Sequence, residues 1–217
     1  RELVSAGYRG FNVTVPHKRR VMDLCDDLDE TARAIGAVNT VSIDESGKLF
    51  GQNTDAFGFT ANLKQSPGTL PGDKPAVVLG AGGAARAVVY ALLNEDIKEI
   101  ILLNRTREKA KELAAHFGAP VTAQNWSARS AALESAGILV NTTSLGMTGK
   151  PPLEIDLSTL PREAVVNDIV YAPLMTDLLK QARARGNKTV TGIGMLLHQA
   201  RPGFHAWHGI WPEVTEE

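Results

Sequence analysis

The tightest constraint on this chain is a strand, a glycine turn and a helix in immediate succession. Ala76-Val-Val-Leu79 is a short apolar run suited to a strand buried on both faces. Gly80-Ala-Gly-Gly-Ala-Ala85 follows and fits the pattern G-x-G-x-x-A. Gly80 permits the tight turn out of the strand, Gly82 lets backbone approach a pyrophosphate, and Ala85 allows close packing of helix on strand. Residues 84–94 are rich in Ala, Leu and Val and read as the helix. Its N-terminus presents free N–H groups and a positive partial charge to phosphates. A tight turn without a ligand fits Gly80 to Ala85 alone. The flanking strand and helix, with a second strand at 99–103, favour a dinucleotide site.

The same alternation continues down the chain. Residues 107–117 form an amphipathic helix ended by Gly118, and 137–140 and 164–170 read as buried strands. A basic-ended helix at 177–185 stops at Gly186, and 188–191 is a last strand. This order predicts an α/β fold with an open parallel sheet and helices on both faces. Upstream, Gln65 to Asp73 holds two Pro and two Gly and predicts a loop between structural units. The N-terminal part predicts a strand at 11–15 and a helix that begins at Pro16. It also predicts a hairpin of 38–43 with 48–51 around Glu45-Ser-Gly47, and a helix over 55–63 capped by Thr54. Residues 194–207 predict a helix that packs back onto this N-terminal unit.

Composition narrows the function classes. The 217 residues suffice for one large domain or two small ones. A net charge of −1 gives no electrostatic case for nucleic acid or an anionic membrane. Apolar runs are interrupted well before the roughly 18 residues that a bilayer span needs. Cys25 is the single cysteine, which excludes an internal disulfide and a cysteine-built metal site, and it reads as a small buried hydrophobe. The five histidines form no His-Glu-x-x-His pattern, so no metal is expected. No secretory pattern opens the chain, and a cytoplasmic protein is expected.

Two places carry chemistry. The strand at 99–103 leads into Asn104-Arg105-Thr106, with Lys109 a turn later. An NAD site usually has Asp or Glu here for the ribose 2′-OH. Arg105 instead suits an adenine face and a 2′-phosphate, with Thr106 and Lys109 adding contacts, which favours NADP. A solvated, helix-capping Arg-Thr pair fits the same residues. Lys18, in the predicted first helical turn after Asn12-Val-Thr-Val-Pro-His, would face a positive helix end that disfavours its ammonium. Asp55, at another helix start, offers a carboxylate. Together they fit a proton shuttle on a hydroxyl, although taken alone the two residues favour a surface ion pair, since Lys and Asp are mostly solvated.

The ordered series resembles the shikimate dehydrogenase family. It runs Asn12-Val-Thr-Val-Pro-His-Lys18, Gly36-Ala-Val-Asn-Thr40, Asn53-Thr-Asp55, Gly80-Ala-Gly-Gly-Ala84, Asn104-Arg-Thr106, Asn141-Thr-Thr-Ser-Leu-Gly-Met147 and Gly194-Met-Leu-Leu-His-Gln199. The resemblance implies NADPH-dependent reduction of 3-dehydroshikimate to shikimate, in aromatic amino-acid biosynthesis. It implies that Lys18 is the catalytic proton carrier, that Asp55 assists it, and that Thr14, Asn39, Tyr171 and Gln199 are further substrate contacts. Gly80, Ala81, Gly82, Gly83 and Ala84 match the pyrophosphate turn, and Asn104, Arg105, Thr106 and Lys109 the 2′-phosphate loop. Ile169 and Gly192 match positions near the nicotinamide, and Glu30 a position where the family sometimes has a cofactor contact. Met195 is expected beside the nicotinamide, though core packing explains it as well.

The implied fold has two lobes. Residues 1–54 with 194–217 form an α/β substrate lobe completed by the C-terminal helix, and 55–193 a Rossmann-type, doubly wound NADP lobe. The family's Ser-x-Ser carboxylate motif is not found before Phe11, and the expectation is that an N-terminal part is missing. The expected partner is a small-molecule substrate, on a monomer or homodimer. Two alternatives stay open: a dehydrogenase that also takes quinate, and a catalytically silent NADP-binding regulator.

Overall fold

The computed structural model describes residues 2–65 and 73–215. The loop expected at Gln65 to Asp73 therefore lies mostly outside the described residues. Six segments form one parallel sheet, the inner four of them rich in Val, Ile and Leu. They are β5 (Ala76–Leu79), β6 (Ile100–Asn104), β7 (Val121–Asn125), β8 (Ile138–Asn141), β9 (Val165–Asp168) and β10 (Lys188–Val190). Their order is β7-β6-β5-β8-β9-β10, with every neighbour parallel. This is the doubly wound order, in which the direction of strand progression reverses beside the first strand.

Alternation along each strand feeds two cores, because successive side chains point to opposite faces. Ala76, Val78, Ile100, Leu102, Ile138 and Val140 pack under α4 (Gly83–Asn94), with Val88 and Leu92 against them. Val77, Leu79, Ile101, Leu103 and Leu139 point the other way, onto Leu133, Leu160 and the Leu178–Leu179 pair of α6 (Asp177–Ala184). Helix α5 (Arg107–Phe117) ends at Gly118 as expected. β7 was not expected: Val121-Thr-Ala-Gln-Asn125 is an edge strand with a single fully buried residue, and it lacks the apolar run that marks its neighbours.

A smaller four-stranded sheet holds β1 (Gly10–Asn12), β2 (Asp27–Leu28), β3 (Thr40–Ile43) and β4 (Leu49–Gln52) in the order β1-β3-β4-β2. The expected hairpin is present. Asp44 Oδ1 accepts from the backbone N–H groups of Ser46 and Lys48 at 2.8 and 2.9 Å, which closes the turn. Two short helices also belong to this part of the chain: α1 (Glu2–Ser5) and α2 (Glu30–Ile35). Asp29 caps α2 by accepting from the Ala32 N–H at 2.6 Å.

The helix expected at Pro16 is absent. The chain turns at Thr14–His17 through the bond His17 N–H to Thr14 C=O, and the first helical geometry is a 3-10 turn at Arg20–Leu24. Val15 stands where a cap belongs and has no side-chain oxygen to accept a first-turn N–H, so proline alone does not start a helix. Lys18 thus lies in the turn that precedes this 3-10 helix and not in a first helical turn, and the helix-end argument for its chemistry falls. Cys25 is half-buried, its thiol donating to Val21 C=O at 3.3 Å, and burial, then the Asp26 carboxylate, push the thiol pKa up from its ordinary value.

Helix α3 (Asp55–Gln65) and helix α7 (Gly192–His208) cross closely. The crossing depends on two missing side chains. A Cβ at Gly58 would stand 2.6 Å from both Gln199 Cβ and the Met195 carbonyl, and one at Gly194 would run into the Asn62 amide. Trp207 Nε1 donates to Val41 C=O at 3.1 Å, which ties α7 to β3. Among the described residues, no helix is long and apolar enough to cross a membrane.

Candidate active site

The site forms where loops at the ends of the smaller sheet meet α3 and α7. Val38 N–H donates to Lys18 C=O at 2.8 Å, and Val13 N–H to Asn39 C=O at 2.8 Å. These bonds hold the Thr14–Lys18 stretch beside Asn39. Asp55 opens α3, and its own N–H is held by Asn53 Oδ1 at 3.1 Å. Lys18 Nζ then lies 2.6 Å from Asp55 Oδ2, with the two side chains only 12% and 7% exposed. That burial removes the surface-ion-pair alternative. The attraction acts with little solvent screening, and each charge needs its partner.

Asn39 organises the other side of Asp55. Its Nδ2 has Asp55 Oδ1 and Gln199 Oε1 at 3.0 Å and Thr54 Oγ1 at 2.9 Å, so two protons serve three acceptors. Its Oδ1 accepts from Thr54 N–H at 2.7 Å. The Thr54 hydroxyl, expected to cap α3, instead sits among Thr40, Asn39 and Gln199. The amides, the hydroxyls and the Lys–Asp pair form one polar patch suited to a ligand with several hydroxyl groups.

This patch faces a cavity of about 460 Å³. Thr14, Lys18, Asn39, Asp55, Tyr171 and Gln199 all line it. From the cofactor set, Ala84, Ile169, Gly192 and Met195 line it too. Met195 is both cavity wall and part of the main core, so the two expectations for it coexist.

A second hollow of about 260 Å³ lies over the glycine turn, bounded by Ala81, Gly82, Gly83 and Lys109, and it shares Lys18 with the first. Gly80 is buried beneath, at φ +113°, where a Cβ would stand 2.5 Å from Thr142 Oγ1. Gly82 caps α4 without any side-chain bond, and a Cβ there would meet nothing within 4 Å. The first-turn N–H groups of α4 are thus left to an anion in the hollow, and the residues present fit a dinucleotide pyrophosphate.

Other expected residues stand apart. Asn104, Arg105 and Thr106 lie at the C-terminal end of β6, outside the walls of both hollows, and Asn104 Nδ2 donates to Thr106 C=O at 2.8 Å. Arg105 is exposed. Thr106 makes no side-chain cap bond to α5, which weakens the capping alternative. Glu30 is exposed in the first turn of α2 and lines neither hollow. Its family match rested on position alone.

The structure also adds residues. Asn12, Val13, Thr142, Thr143, Ser144 and Met147 line the main cavity, as do Val170 and Leu196. The segment at 141–147 follows a parallel strand next to the strand that carries the glycine turn, where ligands of doubly wound sheets bind. That position was a usable signal. Asn12 was harder to find: its amide donates to Asn39 C=O and Thr40 Oγ1 at 3.3 and 3.1 Å, contacts that strand periodicity does not announce.

Dinucleotide-dependent oxidoreductases hold the cofactor at a glycine turn and bring proton-handling groups to it across a cleft, and this chain is built in that way. It belongs to the shikimate dehydrogenase family. The family model for the shikimate dehydrogenase substrate binding domain matches residues 1–41, and that for shikimate / quinate 5-dehydrogenase matches 64–148. The chain is 56% identical to a shikimate dehydrogenase (NADP(+)) of Paramagnetospirillum magneticum, over 100% of this chain and 79% of that protein. It is 52% identical to the one from Dinoroseobacter shibae, over 99% and 78%. Among solved structures, quinate dehydrogenase from Corynebacterium glutamicum in complex with NAD superposes with a TM-score of 0.90 at 33% identity, covering 98% of this chain and 77% of that one. Shikimate 5-dehydrogenase from Thermus thermophilus in complex with NADP(H) and shikimate gives 0.86 at 38% identity, with 98% and 77% covered.

Proposed function

We propose that this chain catalyses the NADP-linked interconversion of 3-dehydroshikimate and shikimate, with Lys18 carrying the proton. The observation that carries this is the buried Lys18–Asp55 pair, which opens onto a cavity that adjoins the glycine-turn hollow. The relatives named as shikimate dehydrogenases (NADP(+)) support the substrate and the cofactor.

When bound, the nicotinamide cofactor supplies or takes the hydride. The chain's own groups do the rest. Lys18 as an ammonium gives a proton to the carbonyl oxygen as it becomes a hydroxyl, and takes it back in the oxidation. Asp55 stabilises the ammonium and offers an acceptor to a ring hydroxyl. Asn39 and Gln199 orient neighbouring hydroxyls, and Thr14 and Tyr171 close the outer wall. Gly80 to Ala84 cradle the pyrophosphate, with Ile169, Gly192 and Met195 on the nicotinamide side. Arg105, with Asn104 and Thr106 outside the hollows and Lys109 at the wall of the glycine-turn hollow, holds the 2′-phosphate.

The lobes divide at residues 54 and 193, with the α3–α7 crossing as their seam. All the proposed groups come from one chain, so a monomer suffices and a homodimer would carry two complete sites. Activity on quinate is the second reading, favoured by the close likeness to a quinate dehydrogenase. Steady-state kinetics with shikimate and quinate, each with NADP and NAD, test both. Shikimate with NADP is expected to give the highest kcat/KM. A higher value for quinate with NAD would overturn the proposal, and cofactor binding without turnover of either would make the chain a silent NADP-binding module.

A further inference from the structure

A buried carboxylate that the proposed chemistry leaves unused stands where the two cavity-wall strands end. Asp168, the last residue of β9, is 0% exposed. Its Oδ1 accepts from Asn141 Nδ2 at 2.9 Å and from Val170 N–H at 3.0 Å. Its Oδ2 accepts from Thr176 Oγ1 at 2.7 Å.

Each partner belongs to a different wall or support. Asn141 ends β8, and its Oδ1 accepts from both the N–H and the hydroxyl of Thr143, at 3.0 and 2.7 Å. Its Nδ2 also reaches Leu145 C=O at 3.2 Å. Asn141 thereby shapes the 142–147 segment, which gives the cavity Thr142, Thr143 and Met147. Val170 lies between Ile169 and Tyr171 on the facing wall. Thr176 caps α6 and accepts from Leu179 N–H at 3.4 Å, anchoring the node to the helix behind.

We propose that Asp168 is a positioning residue, which holds the β8 and β9 walls of the cleft in register so that Ile169 on the cofactor side and Tyr171 on the substrate side keep a fixed relation. This rests on the proposed dehydrogenase reaction at the same cleft. Three donors from three segments meet on two oxygens, so a shift of any one segment breaks a buried bond. No other side chain in the node accepts from both walls. Burial pushes the carboxyl up to about 6, against the opposing effects of the Thr176 hydroxyl, the Val170 N–H and the Asn141 amide. The fold thus keeps an ionised, desolvated group at neutral pH, where a neutral amide would be easier to bury.

The test compares Asp168→Leu, Asp168→Asn and Thr176→Val with the parent protein. Three quantities are read: kcat and KM for shikimate, NADP(H) affinity by nicotinamide fluorescence, and melting temperature at pH 8. Asp168→Leu removes both acceptors while keeping the same branched heavy-atom skeleton. It is expected to remain folded and to lose kcat by about ten- to a hundred-fold, with a smaller change in KM, because a misplaced wall spoils hydride geometry more than binding. Its NADP(H) affinity falls several-fold. Asp168→Asn keeps one oxygen for Asn141 and Val170 and turns its amide to Thr176, and should stay within about three-fold of the parent in kcat. Thr176→Val, which loses only the Oδ2 bond, falls between the two. It decides the matter should Asp168→Leu fail to fold.

Parent-like kcat in a folded Asp168→Leu, or in Thr176→Val if the leucine variant is unfolded, overturns the positioning role. Damage in Asp168→Asn equal to that in Asp168→Leu also overturns it, since charge rather than geometry would then matter. A parent that turns over no shikimate, with NADP(H) binding still lost in Asp168→Leu, leaves the positioning role standing and removes the shikimate reading.

Discussion

Asp168 also makes the stability of this protein depend on pH in a calculable way. Burial raises its carboxyl from the ordinary 3.8 to about 6 in the folded chain. That gap, at roughly 1.4 kcal/mol per pH unit, is about 3 kcal/mol. The sign follows from which state holds the proton more tightly. The folded state does, so this group's contribution is fully present below about pH 4 and is lost as pH rises through about 6. About half of the loss falls by pH 5 and nearly all of it by pH 7. Asp168→Asn removes the titration while retaining the amide-compatible bonds to Asn141, Val170 and Thr176. Urea unfolding of the parent and of Asp168→Asn from pH 4 to pH 8 isolates the effect, because every other titrating group cancels in the difference. The parent should lose about 2 to 3 kcal/mol relative to the variant across that range. Parallel curves would show that burial does not raise this carboxyl.

Three further outcomes are expected. Arg105→Asp should weaken NADP binding by about ten- to a hundred-fold and leave NAD binding nearly unchanged, as measured by titration calorimetry; an unaltered NADP affinity would remove Arg105 from the 2′-phosphate site. Gly58→Val should destabilise the fold by about 1–3 kcal/mol and lower kcat, because the new side chain pushes α7, and Gln199 with it, away from Asp55. Denaturant melts and kinetics on the same sample read both effects. Asn39→Ala leaves the Thr54 N–H without its acceptor. The melting temperature should fall by several degrees, at about 2–4 °C for each kcal/mol, and the KM for shikimate should rise.

The parallel sheet was legible because its strands are continuous apolar runs and its helices end at Gly118 and Gly186. β7 was not, because an edge strand half open to solvent has no such run. The glycine turn and its helix read correctly for a local reason, since Gly80, Gly82 and Ala85 answer to backbone sterics. Lys18 and Asp55 were legible as candidates at expected helix starts, but the patch around them came only through family resemblance. Lys18 and Asp55 are 37 residues apart, and nothing local predicts a 2.6 Å contact between them. The local argument for Lys18 failed, since Pro16 starts no helix. Asp168 went unnoticed because the sequence shows it only as a charged interruption in a hydrophobic strand. Its significance lies in Asn141 and Thr176, which the fold brings to it.

The proposed reaction requires Lys18 to carry the proton in an NADP-linked reduction of 3-dehydroshikimate. Its most direct test is to follow reduced-nicotinamide absorbance with 3-dehydroshikimate and NADPH, for the parent and for Lys18→Ala. NADPH affinity should be measured on both by fluorescence. The parent is predicted to consume NADPH, and Lys18→Ala to lose about 10²- to 10⁴-fold in kcat while still binding the cofactor. Turnover by Lys18→Ala equal to the parent's would contradict the account.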